Sequence, residues 1–286
     1  MRLGLGTVQF GSHYGIANKT GQVTSQEAKE IINLASASGI DTIDTAISYG
    51  NSENILGDVG IEKFKIVTKL PIVPRDCRDV SGWVHKQLEC SLNRLKSNAV
   101  YGLLLHRSDQ IFSQHGTTLC RALLKLKEEG KVEKIGVSIY SPEELNIMQR
   151  RFNYDLVQAP FNLVDQRLSK SGWLRRLKDT GIEVHTRSTF LQGLLLLTES
   201  EIPSKFDRWE RIWRAWHQWL KDYKVSAVDV SLAFPLSFSQ IDRVIIGTDS
   251  ARQLAQLLLA YQNSPNNSFP EIQCEDEELI NPSLWG

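Results

Sequence analysis

Eight short apolar segments recur along this chain, and longer segments with helical periodicity separate them. The strand candidates lie at residues 3–8, 40–44, 64–69, 100–105, 134–138, 155–158, 182–186 and 243–247. Between them, apolar residues are three or four apart, as in the stripe of Ala28, Ile31, Ile32 and Ala35. Because buried parallel strands need helical cover and right-handed crossovers, this alternation favours an α/β fold, a single-domain (β/α)8 TIM barrel. An open doubly wound sheet is the main alternative.

We assign residues 1–262 to the barrel and expect two departures from its regular alternation. A helical insertion at about 198–224 carries Trp209, Trp213, Trp216 and Trp219 on one helical face. We favour the interpretation that this stripe packs the helix onto the barrel; a substrate-pocket wall or a subunit contact is the alternative. Residues 263–286 are rich in Pro, Asn, Ser and acidic residues, which indicates an extended C-terminal tail.

The composition argues against several classes of partner. Lys plus Arg and Asp plus Glu both number 33, so no basic field favours nucleic acid or an anionic membrane. No apolar run approaches the length of a membrane span, and the N-terminus lacks the apolar segment of a signal peptide. The four cysteines are scattered without metal-ligand spacing. We therefore expect a cytoplasmic protein without a metal, monomeric or weakly homo-oligomeric, that acts on a small molecule.

Four polar residues follow the second, third and fourth predicted strands. Asp44 and Tyr49 follow the second strand, Lys69 ends the third, and His106 follows the fourth. Enzymes built on parallel barrels gather their chemistry at the carboxyl ends of the strands, so these side chains are expected to meet. A phenol, an ammonium, a carboxylate and an imidazole together suit the delivery of a proton to a carbonyl oxygen.

Each of these residues has an expected role. Tyr49 is the general acid, and the neighbouring Lys69 ammonium is expected to lower its pKa. Asp44 holds Lys69 charged and oriented, and His106 donates a hydrogen bond to the substrate oxygen. The alternative is a buried ion pair, with Tyr49 and His106 filling the barrel mouth. Since hydride addition needs a donor that no side chain supplies, a nicotinamide cofactor is also expected.

The same residues resemble the aldo-keto reductase superfamily over roughly residues 3–261. The specific part is the ordered set Asp44, Tyr49, Lys69 and His106, with Gly-Asn-Ser-Glu directly after the tyrosine. A Phe-Leu-Gln-Gly segment at 190–193 is similar to that of bacterial members. The resemblance implies a (β/α)8 barrel and NAD(P)H-dependent reduction of an aldehyde or ketone.

The resemblance also implies where the cofactor binds. The implied residues lie near the carboxyl ends of five strands: Gly6, Thr7, Ser138, Gln158, Arg187, Ser188, Thr189, Leu191, Gln192, Gly193, Gly247, Thr248, Ser250, Arg252 and Gln256. Ser138 and Gln158 would hold the carboxamide, residues 188–193 the pyrophosphate and residues 247–256 the adenosine.

Several positions bear on how the cofactor is held. Ile139 stands where the family often has Asn, and Arg187 stands where many relatives stack a tyrosine on the nicotinamide ring. Thr248 with Arg252 would bind a 2′-phosphate, which favours NADPH, with NADH as the other candidate. Asp249 would repel that phosphate if it pointed inward.

Two other functions stay open at this point. The first is a regulatory or scaffold protein on the same barrel that binds a nicotinamide nucleotide but is catalytically weak. Arg187 and Ile139 are compatible with it, because both differ from the family's residues where the nicotinamide should be positioned. The second is a barrel isomerase or aldolase that uses Lys69 as a base or Schiff-base amine and gives Tyr49 and His106 no role. The substrate is not identified: a sugar-like carbonyl is as compatible with the predicted loops as an aromatic aldehyde.

Overall fold

Eight parallel strands form a closed barrel in the computed structural model, which describes residues 1–263 and 268–285. The strands are β1 (Leu3–Gly6), β2 (Thr42–Asp44), β3 (Lys65–Leu70), β4 (Val100–Leu105), β5 (Val132–Ser138), β6 (Leu156–Pro160), β7 (Glu183–Arg187) and β8 (Arg243–Gly247). Each strand pairs with its neighbours in sequence, and β8 pairs with β1 through Ile246 and Leu5. This confirms the predicted (β/α)8 barrel and rules out an open sheet.

Helices on the outside cover the strands. They are α1 (Val8–Gly11), α2 (Ser25–Ala37), α3 (Ser52–Val59), α4 (Val80–Leu95), α5 (Gly116–Glu128), α6 (Glu143–Met148), α7 (Arg167–Lys170), α8 (Trp173–Asp179), α9 (Glu210–Tyr223), α10 (Ala227–Leu236), α11 (Ala251–Gln262) and α12 (Glu277–Ile280). Helix α2 begins where the Thr24 hydroxyl accepts the Glu27 N–H, and the predicted stripe on it is buried. Val8, which we predicted in a strand, instead opens α1. No helix in residues 1–263 and 268–285 is long and apolar enough to cross a membrane.

An apolar layer inside the barrel separates its two ends. Val67, Leu104 and Leu156 form this layer, and each is fully buried. Gly136 lies between the two leucines, where a Cβ would come within 2.0 Å of the Leu156 carbonyl oxygen and 2.8 Å of Leu104 Cδ2. Only a glycine therefore fits at this point of β5. Polar residues occupy the barrel on both sides of the layer.

The insertion after β7 consists of two 3₁₀ turns and α9. Trp213 and Trp216 are buried, and their indole N–H groups donate to the carbonyl oxygens of Phe206 and Leu195, at 3.1 and 3.0 Å. Trp209 and Trp219 are partly buried against the same core. The stripe therefore packs α9 onto the barrel, which is the interpretation we favoured, because its apolar face has no other cover.

The C-terminal segment is packed rather than extended. Residues 268–285 include α12 and a 3₁₀ turn at Pro282–Leu284, and Trp285 lies edge-on to Phe206 with ring centroids 4.8 Å apart. Ile272, Leu279 and Ile280 are buried, so the segment is anchored by apolar side chains that its polar composition masked. The rest of the predicted tail, residues 264–267 and 286, lies outside the described residues.

Candidate active site

A cleft of about 310 Å³ opens at the carboxyl ends of the strands. It runs from Asp44 and Tyr49, past the loop after β7, to the start of α11 after β8. A larger recess, of about 720 Å³, lies at the opposite face beside Lys65 and Tyr101. We place the candidate site in the smaller cleft because the predicted proton donor lies in its wall.

Asp44 and Lys69 form a buried ion pair beneath this cleft. Lys69 Nζ donates to both carboxylate oxygens of Asp44 at 2.7 Å and to the Thr45 carbonyl oxygen at 3.0 Å. Gln158 Nε2 donates to Asp44 Oδ1, also at 2.7 Å. Burial lowers the pKa of Lys69, and the Asp44 carboxylate opposes that effect. The pair therefore fixes the Lys69 side chain under the barrel mouth, with the Asp44 carboxylate against it.

Tyr49 lies above this pair, on the turn after β2. Lys69 Nζ is 5.1 Å from the centroid of the Tyr49 ring, and the His106 ring is edge-on to it with centroids 5.7 Å apart. The loop after β1 packs directly on the Tyr49 backbone, because a Cβ at Gly11 would lie 1.6 Å from the Tyr49 carbonyl oxygen. The structure thus brings the four predicted catalytic residues into one cluster.

The pKa of Tyr49 differs from our expectation. Burial raises the pKa of Tyr49 well above its usual value, and the Asp44 carboxylate raises it further. We expected Lys69 to lower it, but Asp44 lies as close to the ammonium as hydrogen bonding allows and offsets its charge. Arg187 is the group that acts to lower it. At neutral pH, Tyr49 is therefore a protonated phenol, the form that a proton donor needs.

His106 is held by its backbone and by a serine. Its backbone N–H donates to the Leu70 carbonyl oxygen at 3.1 Å, and its Nδ1 is 3.1 Å from Ser48 Oγ. Burial, and then the Lys69 charge, lower the pKa of His106 to about 4, so the ring is neutral at pH 7. When the Ser48 hydroxyl donates to Nδ1, the ring proton is on Nε2.

Arg187 brings an unexpected positive charge to the cleft. Its guanidinium lies 4.8 Å from the centroid of the Tyr140 ring and donates to the carbonyl oxygen of Ile139 at 3.0 Å. Burial raises the pKa of Tyr14, a cleft residue whose hydroxyl accepts from Gln192 Nε2 at 3.1 Å, and the Arg187 charge opposes that rise. Tyr140 was assigned no role from the sequence.

Ten of the fifteen residues predicted for the cofactor line the cleft: Gly6, Thr7, Arg187, Ser188, Thr189, Gln192, Gly193, Gly247, Thr248 and Gln256. The other five do not. Ser138, Gln158 and Leu191 are buried; Gln158 Nε2 donates to Asp44, and Gln158 Oε1 has no hydrogen-bond partner among the described residues. Ser250 caps α11, and Arg252 lies on its exposed side.

Arg252 and Gln253 differ in helix phase. Successive helical residues point about 100° apart, and Gln253, the next residue, is the one in the cleft wall. Asn18 and Asp249 also line the cleft and were not assigned to the cofactor site. Their side-chain directions depend on how two loops meet, which leaves no periodic signal in the sequence.

The cleft has features that fit an extended polar ligand. Gln9 Oε1 and Thr189 Oγ1 are buried in its walls and have no hydrogen-bond partner within residues 1–263 and 268–285. Buried polar atoms without a partner mark places where a bound molecule can satisfy them. Gly193 has φ of +94°, and a Cβ there would lie 2.5 Å from Ala17 Cβ. No group of three or more potential metal ligands occurs in the described part of the chain.

The chain matches the aldo/keto reductase family over residues 2–272. It is 25% identical over 316 residues to the NADH-specific methylglyoxal reductase of Escherichia coli (strain K12), covering 98% of this chain and 95% of that protein. It is 28% identical over 217 residues to the oxidoreductase sirO of Leptosphaeria maculans, covering 72% of this chain but only 64% of that relative's length.

Solved structures show the same architecture. An aldo-keto reductase from Bacillus halodurans, in its holo form, has a TM-score of 0.71 at 18% identity, covering 93% of this chain and 88% of that one. The glycerol dehydrogenase of Gluconobacter oxydans has a TM-score of 0.69 at 22% identity, covering 91% and 86%. Identities this low support the fold alone, whereas the family match spans nearly the whole barrel. The chain belongs to the aldo/keto reductase family.

Proposed function

We propose that this protein reduces an aldehyde or ketone to the alcohol with a nicotinamide cofactor, and that Tyr49 donates the proton. The observation that carries the proposal is the cluster at the cleft wall, where protonated Tyr49 lies over the buried Asp44–Lys69 pair and beside neutral His106. Membership of an oxidoreductase family supports the reaction class. The isomerase or aldolase alternative is disfavoured because Lys69 is 1% exposed and bound to Asp44, out of reach of a substrate carbonyl.

Each residue of the cluster has a distinct task in this proposal. Tyr49 holds its proton in the ground state and releases it as negative charge develops on the carbonyl oxygen. Lys69, fixed by Asp44, stabilises the phenolate that forms, which is an interaction stronger in the transition state than before it. Gln158 keeps the Asp44 carboxylate in place. The His106 ring, held by Ser48, donates from Nε2 to the substrate oxygen and fixes its direction.

The cleft residues fit a nicotinamide dinucleotide. When bound, that cofactor supplies the hydride, which no side chain can. Thr189 and Gln9 offer buried oxygens to its polar groups, residues 188–193 form the turn beside it, and Gln256 lies at the far end. The Escherichia coli relative named above is NADH-specific and acts on methylglyoxal, which makes NADH and small 2-oxoaldehydes the first candidates to test. A sugar-like substrate, a cytoplasmic location and a monomeric or weakly oligomeric state stay predictions.

A binding and turnover experiment tests the proposal. Purified protein is titrated with NADH and with NADPH by tryptophan fluorescence, and methylglyoxal and 4-nitrobenzaldehyde are then added while absorbance at the cofactor's band is followed. We expect saturable binding followed by oxidation of the cofactor. If the protein binds neither NADH nor NADPH, the proposal is contradicted. Binding without turnover of any carbonyl in a broad panel would favour the regulatory or scaffold alternative.

A further inference from the structure

The far end of the cleft decides which nicotinamide nucleotide fits, and the argument rests on the proposed function. A hydride donor must lie beside Tyr49, so the rest of a dinucleotide has to extend along the cleft away from it. The cleft ends at residues 247–257, after β8 and on the first turns of α11. The adenosine ribose therefore lies near this end, where NADPH carries a 2′-phosphate and NADH a hydroxyl.

A carboxylate is fixed in the wall at this end. Asp249 lines the cleft, and its Oδ1 accepts a hydrogen bond from Asn18 Nδ2 at 3.2 Å. Asn18 is itself locked, because its Nδ2 donates to the Gly21 carbonyl oxygen and its Oδ1 accepts the Gly21 N–H, both at 2.9 Å. Asp249 is half-buried, and burial raises the pKa of its carboxyl group. The condition raised by the sequence, that Asp249 points inward, is met.

Four donors that could receive a phosphate near the start of α11 are already in use. The Ala251 N–H donates to Glu27 Oε1 at 2.6 Å, and the Gln253 N–H donates to Ser250 Oγ at 3.2 Å. In the preceding loop, the Thr248 hydroxyl donates to the Ser250 carbonyl oxygen, and the Asp249 N–H donates to Gln253 Oε1, both at 2.8 Å. A helix N-terminus that normally attracts anions is thus occupied by the chain's own acceptors, including a second carboxylate.

Among the described residues that line this end of the cleft, none is a lysine or an arginine that could replace them. Arg252 lies on the exposed side of α11 and does not line the cleft. Of the described residues that line the cleft, Arg187 is the one lysine or arginine, and it lies at the end that holds Tyr49. Its guanidinium is hydrogen-bonded to the Ile139 carbonyl oxygen and the Ser188 hydroxyl. A 2′-phosphate carries a charge of about −1.5 to −2 at pH 7 and would meet two carboxylates here without a compensating cation.

We propose that Asp249 makes this protein selective for NADH over NADPH. Its carboxylate accepts a hydrogen bond from a ribose 2′-hydroxyl and repels a 2′-phosphate, and Glu27 adds to the repulsion. This reverses the preference for NADPH that Thr248 and Arg252 suggested in the sequence. Asp249 is a specificity-determining residue, with no part in the proton transfer at Tyr49.

The test compares the dissociation constants of NADH and NADPH, measured by tryptophan fluorescence at an ionic strength of about 0.1 M. At that ionic strength, charges more than about 10 Å apart are largely screened, so the charges within the cleft dominate the comparison. For the wild-type protein, we expect NADH to bind at least about tenfold more tightly than NADPH. Asp249→Asn keeps an oxygen acceptor for Asn18 and removes the charge, so it is expected to bring the two constants within about threefold, mainly by tightening NADPH. Adding Glu27→Gln is expected to tighten NADPH further. Binding of 5′-AMP and of 2′,5′-ADP, which differ by the 2′-phosphate alone, isolates the same end of the cleft without the nicotinamide.

The matched control is Asp179→Asn. Asp179 is an exposed acid on α8, where it pairs with Arg175, and its loss changes the net charge equally but far from the cleft. This variant is expected to keep the wild-type ratio, and thermal unfolding checks that each variant is folded. Equal or tighter binding of NADPH by the wild-type protein, or a ratio unchanged by Asp249→Asn, would overturn the assignment while leaving the reductase intact. Binding of neither nucleotide would overturn the proposed function and this inference with it.

Discussion

The two ends of the barrel carry clusters made of the same four kinds of functional group. At the mouth, a carboxylate, a tyrosine, a lysine and a histidine come from Asp44, Tyr49, Lys69 and His106. At the floor, the same types come from Glu183, Tyr101, Lys134 and His185. The apolar layer of Val67, Leu104 and Leu156 lies between them. By functional group alone, the two clusters cannot be told apart.

Their hydrogen bonding differs at one atom. At the floor, Glu183 accepts from the Tyr101 hydroxyl at 2.6 Å and from His185 Nε2 at 2.7 Å, and it also pairs with Lys134. At the mouth, Asp44 is satisfied by Lys69 and Gln158, and no group in the described residues hydrogen-bonds the Tyr49 hydroxyl. At the floor, the tyrosine hydroxyl is bound within the cluster, and the atom left without a partner among the described residues is His185 Nδ1, which is buried. At the mouth, the tyrosine hydroxyl is the unbonded group, as the proposed proton donor requires, so the two clusters differ in which phenol is available and not in their functional groups.

Replacing the two tyrosines tests this difference most severely. Tyr49→Phe is expected to lower kcat for reduction by about 10³-fold, because it removes the proton donor, while the Kd of the nucleotide stays near the wild-type value. Tyr101→Phe is expected to keep kcat and to lower the free energy of unfolding by about 1–3 kcal/mol, because Glu183 loses a donor. Steady-state kinetics and urea unfolding measure both. Equal loss of activity in the two variants would end the distinction.

The lysines separate the two ends by stability. Lys69→Met is expected to lower the free energy of unfolding by about 3–5 kcal/mol, because it leaves the buried Asp44 carboxylate without its counter-charge. Lys134→Met is expected to cost less, about 1–3 kcal/mol, because Glu183 keeps Tyr101 and His185 as donors. Urea denaturation of both variants gives the comparison. A larger loss in Lys134→Met would show that the floor, not the mouth, holds the critical ion pair.

The histidines give a smaller contrast in activity. His106→Gln is expected to lower kcat/KM for reduction by about 10²-fold, because the donor that orients the substrate oxygen is displaced. His185→Gln, in a fully buried floor position, is expected to keep kcat/KM and to lower the melting temperature. The wild-type kcat/KM should not vary between about pH 6 and 9, since the pKa of His106 is lowered to about 4 and that of Tyr49 is raised. A step in that range would contradict the assigned protonation states.

The smallest expected effect is on acid stability. The donors around Glu183 hold its pKa well below the usual 4.5, so the group stabilises the fold above that pH. This contribution is lost as pH falls from about 4.5 through the lowered pKa, because the folded state then binds the proton less readily than the unfolded state. Glu183→Gln is expected to flatten the fall in unfolding free energy between about pH 5 and 3. If the unfolding free energy falls equally with pH in the variant and the wild-type protein, groups other than Glu183 cause the loss of stability in acid.

Much of the fold followed from local signals. All eight strands were located, because each apolar run is short and is bounded by residues that end strands or begin helices. The four mouth residues were found for the same reason, since the point where a run ends fixes which side chain reaches the carboxyl face. The packed C-terminal segment was missed because Ile272, Leu279 and Ile280 are dispersed among polar residues and have no periodicity.

The cofactor end was harder to predict, because it depends on side-chain direction. Arg252 and Gln253 are neighbours in α11, and the Ser250 cap together with packing decides which of them faces the cleft. Asp249 points inward because Asn18, 231 residues away in the chain, holds it. The pKa of Tyr49 was misjudged because burial and the second charge of the ion pair were not visible in the sequence.

The sequence by itself determined the (β/α)8 barrel and the residues that reach its mouth, because both depend on periodicity and on where apolar runs end. Only the tertiary structure decided which of two tyrosines keeps an unbonded hydroxyl and which charge faces the cleft. The deciding contacts join residues far apart in the chain, such as Tyr101 with Glu183, 82 residues away, and Asp44 with Gln158, 114 residues away. A hydrogen bond forms when folding brings donor and acceptor within about 3 Å, and no local pattern records that distance.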